Sequence, residues 1–231
     1  VKKPRTPALA HLRFELQGDS LRELPLERRF ERIYETNLWG SDDSRSGLGS
    51  EIDATAQLRT ALPALIRELG VRRMLDVPCG DCGWISRVDL GCEYIGADIV
   101  PELIERNCAT YAETHPGWKF THLDLTSDPL PAADLVLSRD CLVHLSFANI
   151  VRALANVKAS GALWLLTTTF TEHEDNQDIA DGDWRLLNFE KPPFNLPAPR
   201  KLILEGCTEA DGTYSDKALG LWRIADLPDR A

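Results

Sequence analysis

The run Met74-Leu75-Asp76-Val77-Pro78-Cys79-Gly80-Asp81-Cys82-Gly83-Trp84 decides the fold. It begins as a hydrophobic strand, meets an acid, and breaks into a tight turn of small residues that opens toward Trp84. Such a turn lets a ligand approach the backbone closely, and Gly80 supplies torsions that larger residues resist. Tyr94-Ile95-Gly96-Ala97-Asp98 repeats the strand-then-acid pattern, with Asp98 lying 22 residues after Asp76 and Ile99 next in the chain. An acid at that strand tip can accept hydrogen bonds from both hydroxyls of a ribose. His122-Leu123-Asp124-Leu125 closes a third strand, where a carboxylate can meet an adenine amino group. Each feature alone is weak; their order and spacing carry the weight.

Outward from this run the chain alternates. Strands are predicted over 73–77, 94–98, 119–123, 134–138 and 162–169, with a closing hairpin over 202–205 and 219–224. Helices are predicted over 26–36, 51–69, 101–114 and 147–157, and one is expected to begin at 84–88. Ser50 is the expected cap of the second of these, Gly70 its terminator, and Pro101 takes its favoured first-turn place in the third. This alternation predicts an α/β, doubly wound, mostly parallel sheet.

Residues 1–50 are read as a helical lid segment and 51–231 as a Rossmann-like domain. The first 23 residues have weak periodicity and are read as partly mobile, with no helix bounds assigned within them. In the helix over 26–36, Phe30, Ile33 and Tyr34 share a face, while Glu27, Arg28, Arg29, Glu31 and Arg32 are expected in solvent. Turn formers fill 37–50. Tyr34, Asn37 and Trp39 are candidate lid surface, and Gly40, Gly47 and Gly49 permit closure. Trp184, Arg185 and Phe194, in and before the proline-rich 188–199, are the candidate opposite wall for an acceptor.

Composition narrows the partners. The chain has 231 residues, 43% hydrophobic, and a formal net charge of -10. That charge repels phosphate backbones, so no nucleic-acid partner is expected. No run approaches the roughly 20 apolar residues that span a bilayer. The basic start, Val1-Lys2-Lys3-Pro4-Arg5, leads into no apolar signal region, so a cytoplasmic protein is expected. Six cysteines show no disulfide framework. Cys79 and Cys82 have zinc-knuckle spacing without a second pair, and no metal is expected. The sequence leaves the oligomeric state open.

The block around Asp76 resembles the first motif of class I S-adenosylmethionine-dependent methyltransferases. Asp98 resembles their ribose-binding acid, and Asp124-Leu125 their adenine-site pair. The segment from Asp134 to His144 resembles their fourth strand and the helix after it. The resemblance runs in order over 72–170. It implies S-adenosylmethionine as cofactor and a seven-stranded sheet ordered 3-2-1-4-5-7-6, with strand 7 antiparallel. It places the cofactor at Asp76, Pro78, Cys79, Gly80, Asp81 and Trp84 on the first turn. Asp98, Ile99, Asp124, Leu125, Ser138 and Arg139 complete that set. Pro78 and Cys82 stand where the family has glycines. No Gly-x-Gly-x-x-Gly run exists for a dinucleotide pyrophosphate, whereas Asp76 and Asp81 suit an ammonium. The stretches 33–40, 46–50, 139–145 and 192–199 also resemble a little-characterised bacterial subfamily, loosely linked to small-molecule or sugar modification.

Methyl transfer is an in-line displacement at a sulfonium carbon, and the protein supplies alignment and, for a hydroxyl, a base. Arg139, Asp140 and His144 lie just beyond the fourth strand. Asp140 and His144 share a face if that segment is helical, as a base and its orienting partner. Arg139 can meet an acceptor anion or pair with Asp140. Some quinone O-methyltransferases place a second acid where Val143 stands, so metal dependence is not expected. The expected acceptor is a small molecule, a sugar or phenolic hydroxyl. The alternatives are an amine or protein side chain, and a nucleoside-binding module without catalysis.

Overall fold

The computed structural model describes residues 8–41 and 43–228; the basic start of the chain lies outside them. Seven strands form one sheet: β1 (Arg73–Asp76), β2 (Glu93–Asp98), β3 (Lys119–His122), β4 (Leu135–Ser138), β5 (Trp164–Phe170), β6 (Lys201–Leu204) and β7 (Lys217–Arg223). Their order is β3-β2-β1-β4-β5-β7-β6. The first five are parallel, and β7 runs antiparallel to both β5 and β6. The order reverses between β1 and β4, so the chain ends of these strands open a crevice there, the usual ligand position in such sheets.

Side chains alternate across the sheet with period two. Leu75, Val136, Leu165 and Trp222 face one core layer, packed by Ile150, Leu154 and Val157 of α5 (Phe147–Ala159). Met74, Leu135, Leu137, Leu166 and Leu219 face the other, packed by Leu58, Leu62 and Leu65 of α3 (Ala56–Leu69). Gly70 ends α3 with φ +64°, as its type predicts. The helix α4 (Pro101–Tyr111) starts on its proline.

Three local expectations are corrected. First, α1 (Leu9–Arg22) forms an ordered helix in the stretch read as weakly periodic and partly mobile. Phe14, Gly18 and Leu21 face inward, but Leu9, Leu12 and Leu16 face solvent, so apolar residues lie all round and mask the period. Second, α3 begins at Ala56 rather than at 51, because Glu51 turns away to accept a hydrogen bond from the Ser41 hydroxyl at 2.7 Å. Ser50 caps nothing; its hydroxyl reaches back to the Ser46 carbonyl. Third, no α-helix forms after β1. Only a 3-10 turn at Ile85–Arg87 forms, and Gly91 with φ +63° starts the approach to β2 within four residues.

The helix α2 (Leu26–Glu35) forms as expected, but Arg29 is buried rather than solvent-facing. Its guanidinium donates to the carbonyls of Arg22 and Leu24, both at 2.8 Å, and of Asp181 at 2.9 Å. It thus joins the end of α1 to the long β5–β6 connection. In that connection Arg185 is likewise buried, donating to the carbonyls of Leu142, Val143 and Leu145.

A Cβ on Gly220 of β7 would overlap the buried Trp222 ring, whose Nε1 donates to the Pro197 carbonyl at 2.7 Å. Gly220→Ala is therefore expected to lower the unfolding free energy by about 1–3 kcal/mol in urea titrations. Gly117→Ala, which meets open space, is expected to change it by less than about 0.5 kcal/mol.

Candidate active site

A cleft opens at the ends of β1, β2 and β4. Its floor is the turn after β1, and that turn uses its own backbone donors. Pro78 has no N–H. Cys79 donates to the Ala97 carbonyl at 2.8 Å, and Gly80 to Asp98 Oδ2 at 3.0 Å. Asp81 donates to Ser46 Oγ, Cys82 to the Cys79 carbonyl, and Gly83 to Asp81 Oδ1. No amide from 78 to 83 is left to cradle a phosphate. Gly80, at φ +55°, and Cys82, at φ +56°, hold the turn in left-handed conformations.

Asp76, Asp98 and Asp124 all line this cleft. Burial pushes the Asp76 carboxyl up to about 7, although the Tyr94 hydroxyl donates to it at 2.8 Å. Burial likewise pushes Asp98 up to about 6, opposed by the backbone N–H groups of Val100 and Gly80. Asp124 accepts from the amide and the hydroxyl of Thr126, both at 2.7 Å.

The segment before α3 covers the cleft. Ser44 Oγ donates to Asp81 Oδ2 at 2.8 Å, and Ser46 sits against Gly80 so closely that a Cβ there would overlap its hydroxyl. The Arg45 guanidinium lies 5.3 Å from the Tyr34 ring centroid, and Tyr34, Arg45 and Trp39 all line the cleft. Arg139 Nη2 donates to the Gly49 carbonyl at 2.7 Å.

Beyond β4 lies a buried charge network. Arg139 meets Glu205 at 2.7 Å and Asp140 at 3.3 Å; Lys217 meets Asp140 at 2.7 Å and Glu205 at 3.5 Å. Thr168 Oγ1 accepts from the Asp140 amide at 2.8 Å. Burial alone would raise the Asp140 carboxyl, but Arg139 and Lys217 outweigh it and hold it well below the carboxylate range. Burial alone would lower Lys217, but Asp140 and Glu205 outweigh it and push it up to about 12.

The segment after Asp140 is not α-helical. Asp140 has φ +49°, and a 3-10 turn spans Leu142–His144. Asp140 is held by cations, and it is the Asp183 carbonyl that orients His144, accepting from Nδ1–H at 2.7 Å. That bond leaves the Nε2 lone pair free, and among the described residues nothing bonds to it. Burial pushes the imidazole down to about 4, although the Asp183 carbonyl and Asp140 favour its protonation. The Trp39 ring packs on it with centroids 4.6 Å apart. Asp183 also accepts from His11 of α1, Nδ1 to Oδ1, at 2.8 Å.

Of the residues singled out in the sequence, Pro78, Cys79, Gly80, Trp84, Ile99, Leu125 and Arg139 join the three aspartates in the cleft wall, with Asp140 and His144. Asp81 does not; its carboxylate is tied to Ser44 and Gly83 beneath the lid. Ser138 is buried in β4 outside the wall. Asn37, at φ +48°, donates to the Ser41 carbonyl and shapes the loop. Arg185 and Phe194 are interior; Phe194 packs on Phe147 and Phe189. Trp184 lines a second chamber beside the cleft. Sequence reasoning missed Arg45, Lys217, Glu205, Glu209 and Asp183. Only Lys217 left a signal, a lysine heading an apolar strand.

Residues 74–160 match the family described as a methyltransferase domain. A curated relative, glucose-1-phosphate adenylyltransferase 2 of Pseudoalteromonas atlantica, is 25% identical over 195 residues, 73% of this chain. The chain spans about 45% of that protein's length. Among solved structures, the N-methyltransferase NodS of Bradyrhizobium japonicum with S-adenosylhomocysteine shares 17% identity over 61% of this chain and 72% of its own, with a TM-score of 0.48. Magnesium protoporphyrin IX methyltransferase of Synechocystis, also with S-adenosylhomocysteine, shares 16% over 71% of each chain, with a TM-score of 0.44.

Lys217→Met leaves Asp140 and Glu205 with Arg139 as their one close cation. It is expected to lower the unfolding free energy by about 3–5 kcal/mol, read from urea midpoints. Adding Asp140→Asn is expected to restore part of the loss, as a double-mutant cycle would register.

Proposed function

We propose that this chain, whose residues 74–160 match a methyltransferase-domain family and whose sheet has the order 3-2-1-4-5-7-6, moves a methyl group from S-adenosylmethionine to a hydroxyl of a small molecule. The observation that carries this reading is His144, a neutral imidazole whose Nε2 lone pair is free at the junction of the two cavities.

The cleft's donor set fits the cofactor. Asp98 offers its remaining lone pairs to ribose hydroxyls, and Asp124 meets the adenine edge. Asp76 balances the ammonium of the amino-acid part. The closed turn offers no nest for a pyrophosphate. When bound, the cofactor supplies an electrophilic methyl on a sulfonium. Trp39, with Ser44 and Ser46 on the turn, holds the segment before residue 51 down as a lid and keeps water out.

His144 receives the acceptor's proton at Nε2. A weak base suffices, because a hydroxyl oxygen becomes strongly acidic as its new bond to carbon forms. Arg139, pinned by Glu205 and Gly49, closes the floor rather than meeting an acceptor anion. Among the described residues no helix is long and apolar enough to cross a membrane. The six free thiols suit the reducing cytoplasm.

Binding needs Asp98 and Asp76 ionised, and burial holds them near 6 and 7 in the free protein. Affinity for S-adenosylhomocysteine is therefore expected to rise with pH through that window, by about tenfold per unit between 6 and 7 and by about a hundredfold per unit below 6, where both acids must lose a proton. Asp98→Ala is expected to weaken binding by about 100-fold at pH 7.5, measured by calorimetry. His144→Ala is expected to cut kcat by roughly 10²–10⁴ with little change in KM. Full turnover in that variant would point to an amine acceptor, which needs no base.

A further inference from the structure

We propose that the acceptor is a cation, and that the chamber beside the cleft holds its positive group at Glu209 while its hydroxyl faces His144. This inference rests on the methyl-transfer reading above and names the acceptor's class.

The two cavities share Trp39, Ser46, Asp140 and His144. A molecule filling the chamber therefore presents one end to the imidazole. The chamber's outer wall is aromatic. Trp184 and Tyr214 stand 5.2 Å apart between centroids, with Phe170 at 5.9 and 6.1 Å from them. Such rings offer negative faces to a cation.

The charges point the same way. Asp140 Oδ2, Lys217 Nζ and Glu209 Oε1 converge over Gly49, where a Cβ would lie 2.9, 3.3 and 3.5 Å from them. In this network three carboxylates (Asp140, Glu205 and Glu209) face two cations, Arg139 and Lys217. Asp140 and Glu205 are matched by these cations at 2.7 Å each. Glu209 makes no ion pair among the described residues. Its one hydrogen bond among the described residues is from the Cys207 thiol at 3.8 Å, and burial pushes its carboxyl up against the more distant pull of Lys217 and Arg139. The carboxylate without a close cation is therefore Glu209, on the chamber wall beside Lys217. Glu205 Oε1 and Arg139 Nε are both buried without a partner, so the spare acceptor and the spare donor inside the network offset each other and the unmatched carboxylate is Glu209. A ligand cation would remove that mismatch, and a ligand anion would worsen it.

The test uses protein loaded with S-adenosylhomocysteine and three phenols of similar size: tyramine, 4-ethylphenol and 4-hydroxyphenylacetate. Calorimetry is expected to show tyramine bound about tenfold tighter than 4-ethylphenol, with 4-hydroxyphenylacetate weakest. Glu209→Gln is expected to bring tyramine and 4-ethylphenol within about twofold of each other and to leave S-adenosylhomocysteine affinity unchanged. Equal affinities, no binding by any of the three, or a preference that survives in Glu209→Gln would overturn the inference. If S-adenosylhomocysteine itself fails to bind in the first titration, the methyl-transfer reading falls, and this inference with it. If it binds and the phenols are not discriminated, only the inference falls.

Discussion

The turn after β1 satisfies itself, and the rest of the site depends on that. Every amide from Cys79 to Gly83 finds an acceptor in the protein, and Pro78 has none to offer. The loop therefore keeps its shape without an anion to organise it. Its open side faces the carboxylates of Asp76, Asp98 and Asp124, with Arg45 and Arg139 elsewhere on the cleft wall. A glycine-rich dinucleotide turn works the opposite way, with free amides pointing outward at a phosphate. Here Gly80 serves a different purpose, leaving room for Ser46 to lie on the turn.

The same logic of inward satisfaction governs the buried charges. Arg139 and Lys217 neutralise Asp140 and Glu205, and Arg139 reaches on to the Gly49 carbonyl. Such a network gains little net stability over apolar packing, since desolvation offsets most of its Coulomb attraction. Its contribution is position. It fixes the end of β4, the start of β7 and the loop before α3 relative to each other, beside the cleft.

The sheet was legible because buried parallel strands are short apolar runs, and because acids at their tips recur in register. Asp76, Asp98 and Asp124 could be found by spacing alone. The lid helix was not legible: Leu9, Leu12 and Leu16 face solvent and blur the stripe made by Phe14 and Leu21. Asp81, Arg185 and Phe194 have residue types that suit a site, but their surroundings use them for the turn, for orphan carbonyls and for the core. Asp183 and Glu209 meet the site only through long-range folding, the first through its main-chain oxygen, for which residue identity carries no information. Asp140 and His144 lie in the expected place, yet the left-handed torsion at Asp140 sends them to separate partners.

Asp183 faces two ways. Its carbonyl holds the His144 proton on Nδ1, and its carboxylate holds His11 on the lid helix. Docking of α1 and the tautomer of the imidazole are thus linked through one residue, and linkage is reciprocal. A helix that undocked would take one tether from the peptide that holds the His144 ring, so the setting of that ring and the docking of α1 move together.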